Sequence, residues 1–263
     1  MRPRPGTPDG PSISPACSVV VIPARYQSTR LPGKPLEAIA GRPMIQHVYE
    51  RATRARLADA VVVATDDERI REAVEGFGGH VWLTRPDHRT GSDRAAEVAA
   101  GLACDVVVNL QGDEPLIEPA AIDEAIAPLL ADAGLQMTTL CRRIDEPGTL
   151  ADPDVVKVVR ALNGDALYFS RAPIPFARAA SDGEPLGWKH IGLYAYRRDV
   201  LLRFTRLQPG PLERRESLEQ LRALEHGLAI RVVETGYDSV GVDTPADLER
   251  VRRLAAGGPG AGL

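Results

Sequence analysis

The chain has 263 residues, of which 44% are hydrophobic and 26% charged, so it has globular composition and is long enough to bury a large core. Its net charge of −4 gives no global basic field, and nucleic-acid binding is therefore not expected. Only three of the 32 basic residues are lysines: Lys34, Lys157 and Lys189. This raises the question of whether a compact ammonium, rather than a guanidinium, is needed at those positions.

The two ends of the chain differ from the rest in composition. Residues 1–16 are rich in Pro and Gly, lack the apolar segment of a signal peptide, and are predicted to be a disordered leader. Residues 257–263 are predicted to be a flexible tail. No apolar run approaches the ~20 residues of a membrane helix, so no membrane association is expected. The three cysteines lack metal-binding or disulfide spacing, which indicates a reducing, cytoplasmic location.

Short β-branched runs alternate with helical stretches in the first half of the chain. The strands are predicted at 19–22, 60–64, 81–84 and 105–110. The helices between them are predicted near 43–56, 67–76 and 92–102. Apolar strands separated by helices indicate a parallel sheet that is buried on both faces. Residues 18–130 are therefore predicted to form a doubly wound α/β unit.

The pattern changes in the second half, where Asn163-Gly164 predicts a hairpin turn between strands at 155–160 and 166–170. The remaining predicted elements are a strand at 190–196, an amphipathic helix at 212–226, strands at 230–233 and 240–242, and a helix at 245–255. We predict one α/β domain over residues 17–256, with a doubly wound, mostly parallel sheet. A β-hairpin and helix lobe is predicted as an insertion at 155–235.

A basic loop follows the first strand and contains Arg25, Arg30 and Lys34 within ten residues. The carboxyl end of a strand is where open α/β sheets bind ligands, and three cations there can converge on a polyphosphate. The loop has neither the GxxxxGK[ST] motif of a P-loop nor a GxGxxG motif. The alternative is a solvated basic loop without a ligand.

Two acidic positions lie far apart in the sequence. Asp113 follows the fourth predicted strand, at the sheet edge that carries the basic loop, and a carboxylate facing a polyphosphate needs a bridging cation such as Mg²⁺. The alternative for Asp113 is a turn or helix N-cap residue. Asp243 either caps the last helix or reaches the same metal, and both interpretations stay open.

Several motifs resemble one known family. Residues 23–36, Pro-Ala-Arg-Tyr-Gln-Ser-Thr-Arg-Leu-Pro-Gly-Lys-Pro-Leu, resemble the opening signature of the 3-deoxy-manno-octulosonate cytidylyltransferase (CMP-Kdo synthetase) family. Residues 84–94, 109–115, 189–197, 216–222 and 241–249 resemble further motifs of that family, in the same order. The resemblance covers roughly residues 18–255 and implies a fold like that of nucleotide-diphospho-sugar transferases.

The resemblance implies the reaction and the site. The reaction would be transfer of CMP from CTP to the anomeric hydroxyl of Kdo with release of pyrophosphate, which activates Kdo for lipopolysaccharide synthesis. A homodimer is implied, and Mg²⁺ would be held by Asp113 and Asp243, with Arg25 and Lys34 completing the catalytic group. The implied nucleotide contacts are Ala24, Arg25, Ser28, Arg30, Lys34, Arg85, Gly91, Ser92 and Gln111. The implied sugar-acid contacts are Arg94, Gln111, Arg171, His190, Tyr194, Glu216 and Gln220.

Three other functions compete with this one. The nearest is a CMP-sialic acid synthetase, or an enzyme acting on a modified Kdo such as an amino sugar. The second is a sugar-1-phosphate nucleotidylyltransferase using UTP or dTTP, but its usual GxGTRL loop is absent here. The third is a nucleotide-binding regulatory protein with an inactive site, which the intact acidic and basic positions disfavour.

Overall fold

The computed structural model describes residues 16–27, 30–178 and 183–256. The predicted tail and nearly all of the predicted leader therefore lie outside the described residues. The strands are β1 Ala16–Pro23, β2 Ala38–Ile39, β3 Arg42–Pro43, β4 Ala60–Thr65, β5 Val81–Leu83, β6 Cys104–Asn109, β7 Met137–Ile144, β8 Lys157–Arg160, β9 Ala166–Ser170, β10 Gly187–Arg197 and β11 Ile230–Glu234. The α-helices are α1 Met44–Ala52, α2 Glu68–Gly76, α3 Gly91–Gly101, α4 Pro119–Ala131, α5 Pro147–Ala151, α6 Arg198–Phe204, α7 Pro211–Glu216, α8 Gln220–Glu225 and α9 Pro245–Ala256, and a 3₁₀ turn spans Lys34–Leu36.

One nine-stranded sheet forms the centre of the molecule, with the order β11-β7-β10-β6-β1-β4-β5 and with β8 and β9 attached through β10. Strands β6, β1, β4 and β5 run parallel to one another, and β11 is parallel to β7. Strand β10 is antiparallel to both β6 and β7. The mostly parallel α/β sheet predicted from the sequence is therefore confirmed.

The side chains of β1 point alternately to the two faces of this sheet, and they are buried on both faces. Val19 and Val21 contribute to an apolar cluster on one face, with residues of α3 and α6, and Val20 and Ile22 to a cluster on the other, with residues of α1, α2 and α4. All four side chains are at most 1% exposed. Burial on both sides explains the continuous apolar run, and it directs ligand binding to the strand ends.

The strand predictions agree with the structure to within a few residues at their ends, except at 240–242, where no strand forms. The predicted hairpin around Gly164 is also present, because β8 and β9 pair as antiparallel strands. Strand β7 was not predicted. Its polar Thr138 and Thr139 are buried, and their hydroxyls donate to carbonyls of Ala125, Ile191 and Leu193.

The helix predicted at 212–226 is wrong, because two short helices, α7 and α8, take its place. Ser217 between them has a φ of 53°, a left-handed conformation that ends a helix. Glu216 and Gln220 therefore do not share one helical face. Within the region 155–235, β10 lies inside the main sheet between β6 and β7. Among the described helices, none has the length and apolar character needed to cross a bilayer.

Candidate functional site

A cavity of about 380 Å³ opens where β1 and β6 end. Three basic side chains, Arg25, Arg30 and Lys34, line it together with two carboxylates, Asp113 and Asp243. The other lining residues are Pro23, Ala24, Gln27, Pro35, Gly91, Gln111 and Gly112. The cavity thus brings together residues of the motifs at 23–36, 84–94, 109–115 and 241–249, although Pro23 and Asp243 are 220 positions apart in the sequence.

Local backbone requirements explain two glycines beside this cavity. Gly33 has a φ of 73° and precedes the 3₁₀ turn that carries Lys34, so the left-handed conformation favours glycine there. At Gly112, an added Cβ would lie 2.9 Å from the carbonyl oxygen of Pro23. A side chain at 112 would therefore push the turn that carries Asp113 away from the end of β1.

The start of α9 settles which residue caps this helix. The Thr244 hydroxyl accepts a hydrogen bond from the Asp247 amide at 3.2 Å, and the Asp247 carboxylate accepts one from the Thr244 amide at 2.8 Å. This reciprocal arrangement satisfies helix N–H groups in the manner of a capping box. Thr244 therefore has the capping role that was one of the two interpretations of Asp243, and the Asp243 carboxylate faces the cavity.

The ammonium of Lys34 joins the two acidic positions. Its Nζ lies 2.6 Å from Oδ2 of Asp113 and 3.2 Å from Oδ1 of Asp243. Arg30 also reaches Asp243, with Nη2 3.0 Å from Oδ1. Because both carboxylates contact the same ammonium, they are close enough to share a single cation.

The donor set of this cavity fits Mg²⁺, which takes one or two protein carboxylates and completes its octahedron with water and phosphate oxygens. Asp113 and Asp243 supply two such carboxylates. Within the described ranges, no group of three or more His, Cys, Asp and Glu side chains is arranged to hold a metal. Two carboxylates are consistent with a metal whose remaining ligands come from a bound nucleotide.

Two predicted nucleotide contacts, Arg85 and Ser92, do not line this cavity. Ser28 lies outside the described residues. Arg85 lines a neighbouring cavity and pairs there with Asp87, the Arg85 Nε lying 3.4 Å from Oδ1. The Ser92 side chain is buried, and its hydroxyl donates to Glu219 at 2.6 Å and accepts from Asn109 at 3.2 Å. The Ser92 hydroxyl therefore has two hydrogen-bond partners within the protein.

An aromatic row along β10 carries two of the predicted sugar contacts. The ring of His190 lies 5.0 Å from Phe169 and 5.4 Å from Tyr194, and Tyr194 lies 6.0 Å from Tyr196. Tyr194 pairs in the sheet with Asn109 at the end of β6, so the row adjoins the strand that leads into the cavity. Burial lowers the pKa of His190 to about 3, which makes its imidazole neutral near pH 7.

Arg171 and Glu216 are partners of one another. The Glu216 carboxylate accepts from the Ser170 hydroxyl at 2.7 Å and from the Arg171 amide at 3.0 Å. The Arg171 guanidinium donates to the carbonyls of Glu216 and Pro153, both at 3.0 Å. These contacts hold α7 against the end of β9. The structure brings the two residues together, but it also commits much of their hydrogen-bonding capacity. Gln220, at the start of α8, is 7% exposed.

Arg94, a predicted sugar-acid contact, lies on α3. Its side chain is fully buried on α3, Nη1 donates to the Thr84 hydroxyl, and Nη2 lies 3.0 Å from Oδ1 of Asp66. Burial lowers the pKa of Arg94, opposed by the nearby Asp66 carboxylate. These contacts hold α3 against the loops after β4 and β5, and the contact of Arg94 with a sugar acid stays a prediction.

A buried polar atom identifies Asn109, a residue that the sequence predictions did not include. The buried polar atoms without a hydrogen-bond partner include Nη2 of Arg25 and Oδ1 of Asn109. Arg25 lines the cavity, and a Cβ added to Gly91, which also lines it, would lie 3.9 Å from that Asn109 oxygen. Unpaired buried groups are costly and are common where a ligand completes the hydrogen bonds. A polar residue ending the apolar run of β6 was the available sequence signal for Asn109.

Comparisons with known proteins agree in both sequence and structure. A family model described as Cytidylyltransferase matches residues 19–230. Proteins named 3-deoxy-manno-octulosonate cytidylyltransferase from Geobacter metallireducens and Solibacter usitatus are 58% identical over 240 residues and 57% identical over 234 residues. These alignments cover 88% and 89% of this chain, and 94% and 92% of those relatives.

A solved structure of CMP:2-keto-3-deoxy-manno-octonic acid synthetase in complex with CTP is similar to this chain with a TM-score of 0.87 and 49% identity, covering 92% of this chain and 99% of that one. A cytidylyltransferase from Leptospira borgpetersenii, at 17% identity and a TM-score of 0.65, covers 94% of this chain and 90% of its own, and shows the fold alone. On the family model and these relatives, the chain belongs to the cytidylyltransferase family, among the 3-deoxy-manno-octulosonate cytidylyltransferases.

Proposed function

We propose that this chain transfers CMP from CTP to the anomeric hydroxyl of 3-deoxy-D-manno-octulosonate, giving CMP-Kdo and pyrophosphate. The observation that carries the proposal is the single cavity in which Arg25, Arg30 and Lys34 meet Asp113 and Asp243 at the strand ends. The relatives named for this reaction, with identities of 52–58% among those compared, support it. The product would supply activated Kdo for lipopolysaccharide synthesis.

The protein's part in this reaction is to position its substrates and to compensate charge. The anomeric oxygen of the sugar attacks the α-phosphorus of CTP, an O–P bond forms, and the bond from phosphorus to the bridging oxygen of the β-phosphate breaks. Arg25, Arg30 and Lys34 would bind the triphosphate and stabilise the negative charge that develops on the leaving pyrophosphate. Among the described residues lining the cavity there is no His or Cys. We therefore propose no covalent intermediate, and the hydroxyl proton is lost to water.

We propose that Asp113 and Asp243 hold Mg²⁺. When bound, this ion would neutralise triphosphate charge and make the attacking hydroxyl more acidic. Gln111 lies in the turn after β6 and lines the cavity, and it would contact the nucleotide or the sugar. Ala24 and Gly91 would approach the nucleotide through their backbone, since neither carries a side chain that can donate a hydrogen bond.

On the sugar side, His190 and Tyr194 are the strongest candidates for contact, because their rings form the row next to β6. Arg171, Glu216 and Gln220 are proposed as the outer part of the same subsite. The hydrogen bonds between Arg171 and Glu216 would position the atoms of these two side chains that remain available to hydroxyl groups of the sugar acid.

Pyrophosphate release tests this function. Each of the four common nucleoside triphosphates is combined in turn with Kdo, an amino-substituted Kdo and N-acetylneuraminate, in buffer containing Mg²⁺. We expect release only with CTP, and fastest with Kdo. Faster release with N-acetylneuraminate would indicate a CMP-sialic acid synthetase, and faster release with the amino sugar an enzyme for a modified Kdo. Absence of release with every pair would indicate an inactive nucleotide-binding protein.

We also propose a cytoplasmic homodimer that associates through the 155–235 region. This region exposes several large apolar side chains, Leu162, Leu167 and Phe176, the last of which is 89% exposed. Such exposure is typical of interaction surfaces. Light scattering should then give twice the chain mass of 28.3 kDa, and Leu167→Lys should lower it toward that of a monomer. A monomeric wild-type protein would contradict the proposal.

A further inference from the structure

Asp243 is carried by a segment with little regular structure of its own. Residues 235–244, between β11 and α9, form neither helix nor strand. Two backbone hydrogen bonds connect this segment to the rest of the fold: the Thr235 amide donates to the Cys141 carbonyl, and the Val242 amide to the Asp113 carbonyl, both at 2.9 Å. The position of Asp243 relative to Asp113 therefore depends on other contacts as well.

The carboxylate of Glu114 supplies such contacts. The Tyr237 hydroxyl donates to its Oε2 at 2.8 Å, and the Ser239 hydroxyl donates to its Oε1. A Cβ added at Gly241 would lie 3.7 Å from Oε1, so the segment also passes closely at that position. Three alternate residues of the segment thus lie around one carboxylate, which directly follows Asp113 in the chain.

A second contact comes from β10. Nζ of Lys189 lies 2.9 Å from Oδ1 of Asp238 and 3.4 Å from the Ser239 carbonyl oxygen. The Asp238 carboxylate is about half exposed, so this ion pair is expected to contribute little to the free energy of folding. The hydrogen bonds to Glu114 are partly buried and charge-assisted, and they are the stronger restraint.

We propose that Glu114 is a positioning residue: by holding residues 237–241, its carboxylate fixes the distance between the Asp113 and Asp243 carboxylates, so that both bind the same divalent cation. Glu114 itself contacts neither the cation nor the substrates. The inference rests on the proposed function, in which these two aspartates hold Mg²⁺. Outer-shell hydrogen bonds of this kind typically change metal affinity by about 10- to 100-fold when they are lost.

The experiment measures Mn²⁺ binding to the protein–CTP complex without Kdo, from the electron paramagnetic resonance signal of free Mn²⁺. Glu114→Gln keeps the size of the side chain but replaces one acceptor oxygen by a donor. Tyr237→Phe combined with Ser239→Ala removes both donors and keeps Glu114. Glu118→Gln is the matched control, because Glu118 is exposed and its side chain makes no cap hydrogen bond.

We expect the dissociation constant of Mn²⁺ to rise about tenfold or more in Glu114→Gln and in the double variant, and to stay unchanged in Glu118→Gln. In turnover assays the KM for Mg²⁺ should rise, while kcat recovers at saturating Mg²⁺. A loss of folding alone would lower kcat without this split. If Glu114→Gln does not fold, the double variant decides, and Mn²⁺ affinity within twofold of the wild type there overturns the inference.

Asp113→Asn separates the inference from the proposed function. Weaker Mn²⁺ binding in Asp113→Asn, together with unchanged binding in the Glu114 and Tyr237/Ser239 variants, would leave the metal site in place and overturn only the role of Glu114. Unchanged binding in Asp113→Asn would mean that Asp113 is not a metal ligand. The proposed metal site would then be wrong, and the inference would fall with it.

Discussion

The ammonium of Lys34 lies 2.6 Å from Oδ2 of Asp113, across 79 positions of the sequence. The same Nζ lies 3.2 Å from Asp243, so one small cationic group contacts both acidic residues of the cavity. A point charge with three donors can contact two carboxylates and still reach a phosphate oxygen, whereas a planar guanidinium has a fixed donor geometry. This arrangement gives one of the three lysines a chemical reason to be lysine.

Lys34→Arg should therefore lower kcat/KM despite the retained charge. The longer, planar group cannot take the same place between Asp113 and Asp243, and misplacing a reactive group by about 1 Å can cost about 100-fold in rate. The measurement is steady-state pyrophosphate release with CTP and Kdo. Lys189→Arg, in which the ammonium pairs with a half-exposed carboxylate, is the control and should stay near the wild-type rate. An unchanged rate in Lys34→Arg would mean that only the charge matters.

Asp113→Asn should lower kcat by about 100-fold or more while the fold stays intact. The neutral amide no longer balances Lys34 and is a poorer ligand for a divalent cation, and removing one electrostatic contact at a reacting centre costs about 10²–10³ in kcat. Turnover and the thermal unfolding midpoint are measured together. Asp154→Asn, at an exposed carboxylate, is the matched control. A rate close to the wild type in Asp113→Asn would contradict its assignment as a metal ligand.

Lys157 has a structural explanation that the sequence did not provide. Its ammonium is buried and donates to three backbone carbonyls, those of Asp152, Val155 and Arg171, at 2.8, 2.6 and 2.5 Å. It therefore joins the loop before β8 to the residue after β9. Burial lowers the pKa of this amine, and the nearby Asp152 carboxylate opposes the shift.

Lys157→Met should destabilise the protein by about 3 kcal/mol, because three buried carbonyls lose their donor and each unsatisfied group costs about 1–3 kcal/mol, partly recovered by water. Urea unfolding measures the change. Lys189→Met removes an ammonium that pairs with a half-exposed carboxylate, and it should cost under about 1 kcal/mol. Equal losses in the two variants would show that the carbonyl contacts of Lys157 contribute little.

The sequence alone predicted the strands and turns that depend on the local pattern of residues. Continuous valines predicted β1, β4 and β6, and Asn163-Gly164 predicted the hairpin. The cavity residues in the loops after β1 and β6 could be grouped because these two parallel strands end at one edge of the sheet. The break at Ser217 could not be predicted, since Glu216 is held by Ser170 and Arg171, which are distant in sequence. In the same way, the donors to Glu114 lie more than 120 positions away from it.

His190 predicts how stability depends on pH. Burial lowers the pKa of its imidazole from 6.5 to about 3, with the Phe169 and Tyr194 rings on either side and the Thr139 hydroxyl 3.0 Å from Nε2. Below pH 6.5 the unfolded chain binds a proton at this residue, whereas the folded protein does not until about pH 3. The free energy of unfolding should therefore decrease as the pH falls through this interval.

Between pH 7.5 and pH 5.0 the loss due to His190 should be about 2 kcal/mol, because each pH unit below the unfolded pKa contributes about 1.4 kcal/mol. The measurement is urea unfolding of the wild type and of His190→Asn at both pH values. Other groups titrate over the same range, so the quantity to compare is the difference between the two pH dependences. The variant should lose less stability than the wild type at pH 5.0, although it is less stable at pH 7.5.

His80→Asn, at an exposed imidazole, should follow the wild-type curve. Parallel curves for His190→Asn and the wild type would show that the imidazole takes up its proton equally in both states, which contradicts a lowered pKa of His190 in the folded protein.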